Sequence, residues 1–313
     1  MKILVTGATG FIGKGLLQRL TTVPEYQVTG STRQQSPEPS IAPLIQVGTS
    51  TATTDWSAAL QGVDVVIHVA AHLATRGSSL NALRSTNVEG TLALARQALS
   101  AGTRRFIFIS SVGVNGSTTH HVPFNEMSLP APSDDYARSK LEAEQALQKL
   151  LQGTAMELVI IRPPLVYAGH APRNFSRLMD WVRSGVPMPF AAIHNRRSMI
   201  ALENLVDFIA LCIEHPTAAN ELFLVSDGAD MSTAQMVTHL ANGMGSTARL
   251  VPVPESLLRH GARLLGKGPM YSTLCASLVV DSDKARRLLG WTPPVTSIDA
   301  LIKSGRDYRA LNT

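Results

Sequence analysis

The chain reads as an α/β protein, a doubly wound parallel sheet followed by a smaller mixed α/β lobe toward the C-terminus. Three observations predict this. Short, almost wholly apolar runs alternate with helical patterns through the first two-thirds of the 313 residues. A glycine-rich turn joins the first apolar run to the first helical pattern. After Tyr167 the rhythm breaks, with Pro172, Gly185, Pro187 and Pro189 in close succession. Strands buried on both faces of a parallel sheet carry continuous apolar sequence, and helices must cover those faces.

Residues 2–6 predict the first strand and 11–21 the first helix. Runs at 27–31, 44–47, 63–69, 105–110 and 157–162 predict further strands, with helical spacing at 55–61, 80–101 and 134–152 between them. Residues 202–214 predict a helix and 222–225 a strand, both returning to the sheet. Helices are expected at 233–243, 255–266, 281–290 and 297–310. Residues 34–43 form a polar, proline-rich loop.

At 44% hydrophobic and 16% charged residues, the composition supports a full core rather than a disordered chain. The net charge of +5 suits anionic small molecules. No Lys/Arg run exceeds two residues and no basic stretch interleaves with aromatics, which argues against nucleic acid. Cys212 and Cys275 form no CxxC pair and lie in apolar stretches, so reduced core cysteines and a reducing cytoplasm are expected. The run Ile3–Val5 is too short for a signal-peptide core, and no stretch reaches the ~18 apolar residues of a membrane span. A soluble protein without membrane insertion is expected. His68 sits in an apolar strand as a packing residue, and His120–His121 lie in a polar loop. No carboxylate or cysteine stands at ligand spacing from these histidines, so no metal is expected.

Gly7, Gly10 and Gly13 space out as GxxGxxG between the first strand and the first helix. Side chains there would block close approach of a pyrophosphate, which the N–H groups opening the helix would hold. Strand before and helix after make this a dinucleotide turn of the Rossmann type. The second strand ends in Ser31-Thr32-Arg33, without the acidic residue that binds the ribose hydroxyls of NAD. A guanidinium beside small hydroxyls suits a 2′-phosphate, so NADP(H) is preferred and NAD(H) remains open. Tyr136 and Lys140 stand four residues apart on one face of a helix. Ser133 is the expected N-cap of that helix, with Asp134 and Asp135 in its first turn. An ammonium beside a phenol lowers its pKa, the role expected of Lys140 toward Tyr136.

These residues occur within VTGATGFIG (5–13), HVAA (68–71), NVEGT (87–91), FISSVGVNG (108–116), YARSK (136–140) and RPPLVYA (162–168). In that order they resemble the extended short-chain dehydrogenase/reductase family, the group of nucleotide-sugar epimerases and reductases. The resemblance implies that Ser111 hydrogen-bonds the reacting oxygen and that Tyr136 donates or accepts the proton. It implies that Lys140 tunes Tyr136 and holds the nicotinamide ribose. Asn87 would support the site's backbone. Phe11, Ile12, Ala70, Ala71 and Pro163 would line the cofactor passage. The third strand ends in Val47-Gly48-Thr49, where the family usually carries an aspartate for the adenine.

In the second lobe, Asn174 and Arg197 match positions that bind the diphosphate and sugar of the substrate, a role suited to a forked guanidinium. The resemblance divides the chain into a dinucleotide-binding domain, 1–168 with 202–227 returning to it, and a substrate lobe, 169–201 with 228–313. Val112 and Gly113 stand where 4,6-dehydratases carry their extra acid and base, which argues against dehydration. The reaction expected is reduction of the C4 ketone of a UDP-linked 4-keto-6-deoxy-hexosamine, for surface polysaccharide such as lipopolysaccharide O-antigen. The alternative is an NAD-dependent UDP-sugar 4-epimerase. A non-catalytic cofactor-binding regulator and a reductase of steroid-like alcohols are weaker alternatives. A homodimer through the helices at 80–101 and 134–152 is also implied.

Overall fold

The computed structural model describes residues 1–34, 40–73 and 79–312, so part of the proline-rich loop at 34–43 lies outside the described residues. The strands are β1 (Lys2–Thr6), β2 (Gln27–Thr32), β3 (Leu44–Gln46), β4 (Val65–His68), β5 (Arg105–Ile109), β6 (Glu157–Arg162), β7 (Leu165–Tyr167), β8 (Met199–Ala201) and β9 (Leu222–Leu224). The first-lobe helices are α1 (Phe11–Leu20), α2 (Ser57–Leu60), α3 (Leu80–Arg84), α4 (Thr91–Ser100) and α5 (Asp135–Leu151). Then follow α6 (Asn174–Ser184), α7 (Leu202–Glu214), α8 (Thr233–Gly243), α9 (Glu255–Leu264), α10 (Gly268–Cys275), α11 (Asp283–Leu289) and α12 (Ser297–Leu311).

Among the described residues, seven strands form one parallel sheet in the order β3-β2-β1-β4-β5-β6-β9. Alternate residues of each strand face opposite layers. Ile3, Val5, Ile67, Ile107 and Ile161 pack against Leu16 and Leu20 of α1 and Leu205 and Phe208 of α7. Leu4, Val66, Phe106, Phe108 and Ile160 pack against Leu94 and Ala98 of α4 and Ala143 and Leu147 of α5. Two buried faces explain why these strands read as unbroken apolar runs.

The second lobe has its own core, including Phe175, Met179, Met199, Leu240, Leu301 and Tyr308. Its two short parallel strands, β7 and β8, were not expected from the sequence. Helix α11 packs on the large sheet, with Ala285, Leu289 and Trp291 against the Phe208–Phe223 layer, although chain order assigns it to the second lobe. Asp227 fastens the junction, accepting from the Tyr167 hydroxyl at 2.8 Å, the Ala201 N–H at 2.9 Å and Asn204 Nδ2 at 2.7 Å.

The helix expected over 80–101 is interrupted. Residues Ser85–Gly90 form a π-helical turn between α3 and α4. Inserted turns of this kind re-aim side chains and recur at functional sites. Asn87 lies within it.

Candidate active site

Strand β1 ends at Thr6 and the chain turns through Gly7 at φ 66°. A Cβ on Gly7 would lie 2.9 Å from the Ala70 Cα, and one on Gly13 only 2.1 Å from the Gly7 carbonyl oxygen. No side chain caps α1 at Gly10, so its first-turn N–H groups are left for another acceptor. This cradle fits the pyrophosphate of a nicotinamide dinucleotide. Ala70 and Ala71 form the half-buried opposite wall. The Ala70 N–H donates to Thr6 Oγ1 at 3.2 Å. Ile12 packs on the sheet core, and Phe11 meets His170 edge-on at 5.2 Å. Arg33 is exposed at the end of β2.

Helix α5 carries Tyr136 and Lys140. Its N-cap is Asp134 rather than Ser133: the Asp134 carboxylate accepts the Ala137 N–H at 2.7 Å from extended backbone at ψ 168°. Tyr136, Lys140 and Glu144 follow at successive helical turns. Ser111 caps the single turn Val112–Val114 by accepting the Gly113 N–H at 3.1 Å. A Cβ on Gly113 would touch Ala137 at 3.3 Å, so this turn sits against the first turn of α5 beside Tyr136. The Pro163 carbonyl fixes it from behind by accepting the Val112 N–H at 3.0 Å.

Asn87 supports the backbone around the site. Its Oδ1 accepts the His72 N–H at 2.7 Å, and its Nδ2 donates to the His72 carbonyl at 3.0 Å and to Ser139 Oγ at 2.9 Å. One amide therefore joins the loop after β4 to the helix that carries Tyr136 and Lys140.

Lys140 is buried, its ammonium 4.2 Å from the centre of the Phe108 ring, and His68 stacks on Phe108. Burial lowers the Lys140 pKa from 10.5 to about 7, with Glu144 pulling the other way. Burial, then the charge of Lys140, lowers the His68 pKa to about 3, so His68 is a neutral packing residue between Thr6 and Thr91, at 2.7 and 2.8 Å. Tyr136 differs from expectation. Burial, then Asp134, raises its pKa to about 12, and the one opposing charge is Arg173, not Lys140. Desolvation dominates and Lys140 does not offset it, so the resting phenol is protonated.

The sequence reading missed Arg173 and a buried network beneath Lys140. Arg173 precedes α6 at φ 66°, a conformation that costs an L-residue of order 1–3 kcal/mol and that clusters at functional sites. In the network, Arg162 holds Glu144 at 2.5 and 3.0 Å and donates to Asn115 Oδ1 at 3.0 Å, while the Ser110 hydroxyl donates to Glu144. Glu144 continues the four-residue spacing of Tyr136 and Lys140, the one sequence signal that pointed to it.

Asn174 begins α6 and lines a cavity of about 330 Å³ shared with Arg177, Trp181, Met270 and Leu274. Arg197 is half-buried and donates to the Ala276 carbonyl at 2.8 Å. The two residues thus flank α10, Asn174 along its side and Arg197 past its C-terminal end. Cys212 and Cys275 are buried thiols. Among the described residues no group of three or more His, Cys, Asp or Glu side chains could hold a metal ion, and no helix is long and apolar enough to cross a membrane.

Residues 3–225 match the NAD dependent epimerase/dehydratase family. A UDP-glucose 4-epimerase of Vibrio cholerae is 42% identical, aligned over 99% of this chain and 96% of that protein. An N-acetyl-alpha-D-glucosaminyl-diphospho-ditrans,octacis-undecaprenol 4-epimerase of Escherichia coli O157:H7 is 26% identical over 94% of this chain and 91% of that protein. In fold, the chain superposes along its full length on the Thermotoga maritima UDP-glucose 4-epimerase with UDP-glucose, at a TM-score of 0.80 and 20% identity.

Proposed function

Because the chain belongs to the NAD dependent epimerase/dehydratase family, we propose that it moves a hydride at C4 of a nucleotide-linked sugar, with Tyr136, Ser111 and Lys140 as its working residues. The observation that supports this reading is the contact of the Ser111-capped turn with the first turn of α5, the helix that carries Tyr136 and the buried Lys140. A nicotinamide cofactor bound there supplies the hydride acceptor and donor. Tyr136 gives a proton to the C4 oxygen or takes one from it. Ser111 accepts the Gly113 N–H, which leaves its own hydrogen free to donate to that oxygen as charge develops. Lys140, with a pKa of about 7, is a ready proton reservoir at the base of Tyr136. Asn174 and Arg197 hold the sugar and the diphosphate.

The first reading of the overall reaction is 4-epimerisation, supported by the 42% identical Vibrio cholerae relative. The second is reduction of a UDP-linked 4-keto-6-deoxy-hexosamine with NADPH, for surface polysaccharide. Two observations favour it. Arg33 follows a β2 that carries no acidic residue, and Tyr136 rests in the protonated state that a ketone oxygen needs. Incubation with UDP-4-keto-6-deoxy-N-acetylglucosamine and NADPH, beside UDP-glucose and UDP-N-acetylglucosamine, separates the two. Stoichiometric NADPH loss means reduction. Inversion at C4 without net cofactor loss means epimerisation. Neither outcome with any of these substrates would refute C4 chemistry on UDP-sugars. Arg33→Ala should shift preference from NADPH toward NADH, and an unchanged ratio would remove Arg33 from cofactor selection.

A further inference from the structure

Helices α9 and α10 form a hairpin whose inner side packs on the second-lobe core through Leu258, Tyr271 and Leu274. Its outer side is apolar as well. Leu264 is 89% exposed, Leu265 71%, Leu257 64% and Met270 48%. On α9, Leu257 and Leu264 are seven residues apart and share one face, with Leu265 just past the helix end. Arg259 and Arg263 lie on the opposite, polar arc, more than about 90° round from those leucines at 3.6 residues per turn, and Lys267 follows in the turn. Monomeric proteins rarely leave leucines clustered in water, and a basic amphipathic helix with an open leucine face is the pattern that lies in a bilayer interface.

Charge identifies the occupant. From Gly245 to Cys275 the chain carries Arg249, Arg259, Arg263 and Lys267 against a single carboxylate, Glu255. Glu255 is engaged by the Tyr271 hydroxyl at 2.8 Å. We propose that this hairpin docks the protein on an anionic phospholipid surface, with the leucines in the acyl boundary and the cations among the headgroups. Met270 belongs both to the docking face and to the rim of the cavity that begins at Asn174, so docking brings that cavity to the interface. This is peripheral attachment and needs no spanning helix.

Co-sedimentation of the full-length protein with phosphatidylglycerol/phosphatidylcholine vesicles tests the proposal, with pure phosphatidylcholine vesicles as the comparison. Binding should need the anionic lipid and fall steeply with added salt. Changing Arg259, Arg263 and Lys267 together to Gln should weaken it roughly 100-fold, at about five-fold per cation. Leu264→Glu with Leu265→Glu should abolish it while circular dichroism and turnover of a soluble UDP-sugar stay unchanged. Absent binding, equal binding to the neutral vesicles, or variants that bind like the parent would overturn the proposal. So would a double-Glu variant that only loses dimer mass by light scattering, which would assign the face to a second copy of the chain. Vesicle binding without turnover of any UDP-sugar would sink the C4 reading and leave the docking intact.

Discussion

Replacing Lys140 with Met removes an ionisable group buried in the fold. Burial holds the lysine at about 7, against 10.5 for an exposed one. Between those values the unfolded chain keeps its proton while the folded protein has released it. The unfolded state then binds more protons, and stability should rise with pH across this window. Below about pH 7 both states are protonated, and the folded protein bears the whole cost of the buried ammonium, about 5 kcal/mol from the two pKa values. Between pH 7 and pH 9 about 2 kcal/mol of it is regained. Methionine has similar length and no proton, so the slope contributed by this position vanishes. Guanidinium unfolding followed by tryptophan fluorescence suits the measurement, because Trp56 and Trp291 are buried. Subtracting the variant from the parent at pH 7, 8 and 9 cancels the buried thiols and the other tyrosines. The advantage of Lys140→Met should shrink by about 2 kcal/mol over that range. A difference constant to within about 0.5 kcal/mol would refute the argument that desolvation controls Lys140.

Other expectations follow from the same geometry. Tyr136→Phe should lower kcat by about 10²–10⁴ with little change in cofactor binding, and a near-parental rate would exclude Tyr136 as the acid. Gly13→Ala should abolish cofactor binding in a fluorescence titration, since its Cβ would lie 2.1 Å from the Gly7 carbonyl oxygen; retained affinity would mean that the turn tolerates a side chain. Glu144→Gln should cost about 3–5 kcal/mol by leaving the Arg162 guanidinium buried without its counter-charge. A loss under about 1 kcal/mol by chemical denaturation would mean that water or Asn115 replaces the carboxylate.

The centre of the large sheet was legible because both its faces are dry, so β1, β4, β5 and β6 announce themselves as apolar runs. Strands β7 and β8 escaped notice because each has three residues, and β7 follows Pro163-Pro164. The π-turn at Ser85–Gly90 escaped because apolar spacing over 80–101 continues through it with only a local change of pitch. Spacing alone put Tyr136 above Lys140, and the glycine pattern marked the close backbone approach at Gly7 and Gly13. The Glu144–Arg162 pair joins residues that only the finished sheet brings together. The raised pKa of Tyr136 depends on how thoroughly its surroundings exclude water, which a four-residue interval does not encode. Ser133 and Asp134 are both good caps, and the choice rests on which backbone is extended at the helix start.

The order of strands also sets a schedule for synthesis. Strand β6 is flanked on one side by β5, made some fifty residues earlier, and on the other by β9, which the ribosome reaches about sixty residues later. At 5–20 residues per second the β6 edge waits roughly 3–12 s for its partner. Through that interval Ile160 and Ile161 present an apolar edge with open backbone groups, the kind of surface that recruits another chain. Charged Glu157 and Arg162 bracket it. A nascent chain stalled after β6 has cleared the exit tunnel but before β9 has done so should therefore be a strong client for ribosome-associated chaperones, and one stalled far enough past Leu224 for β9 to clear the tunnel should not.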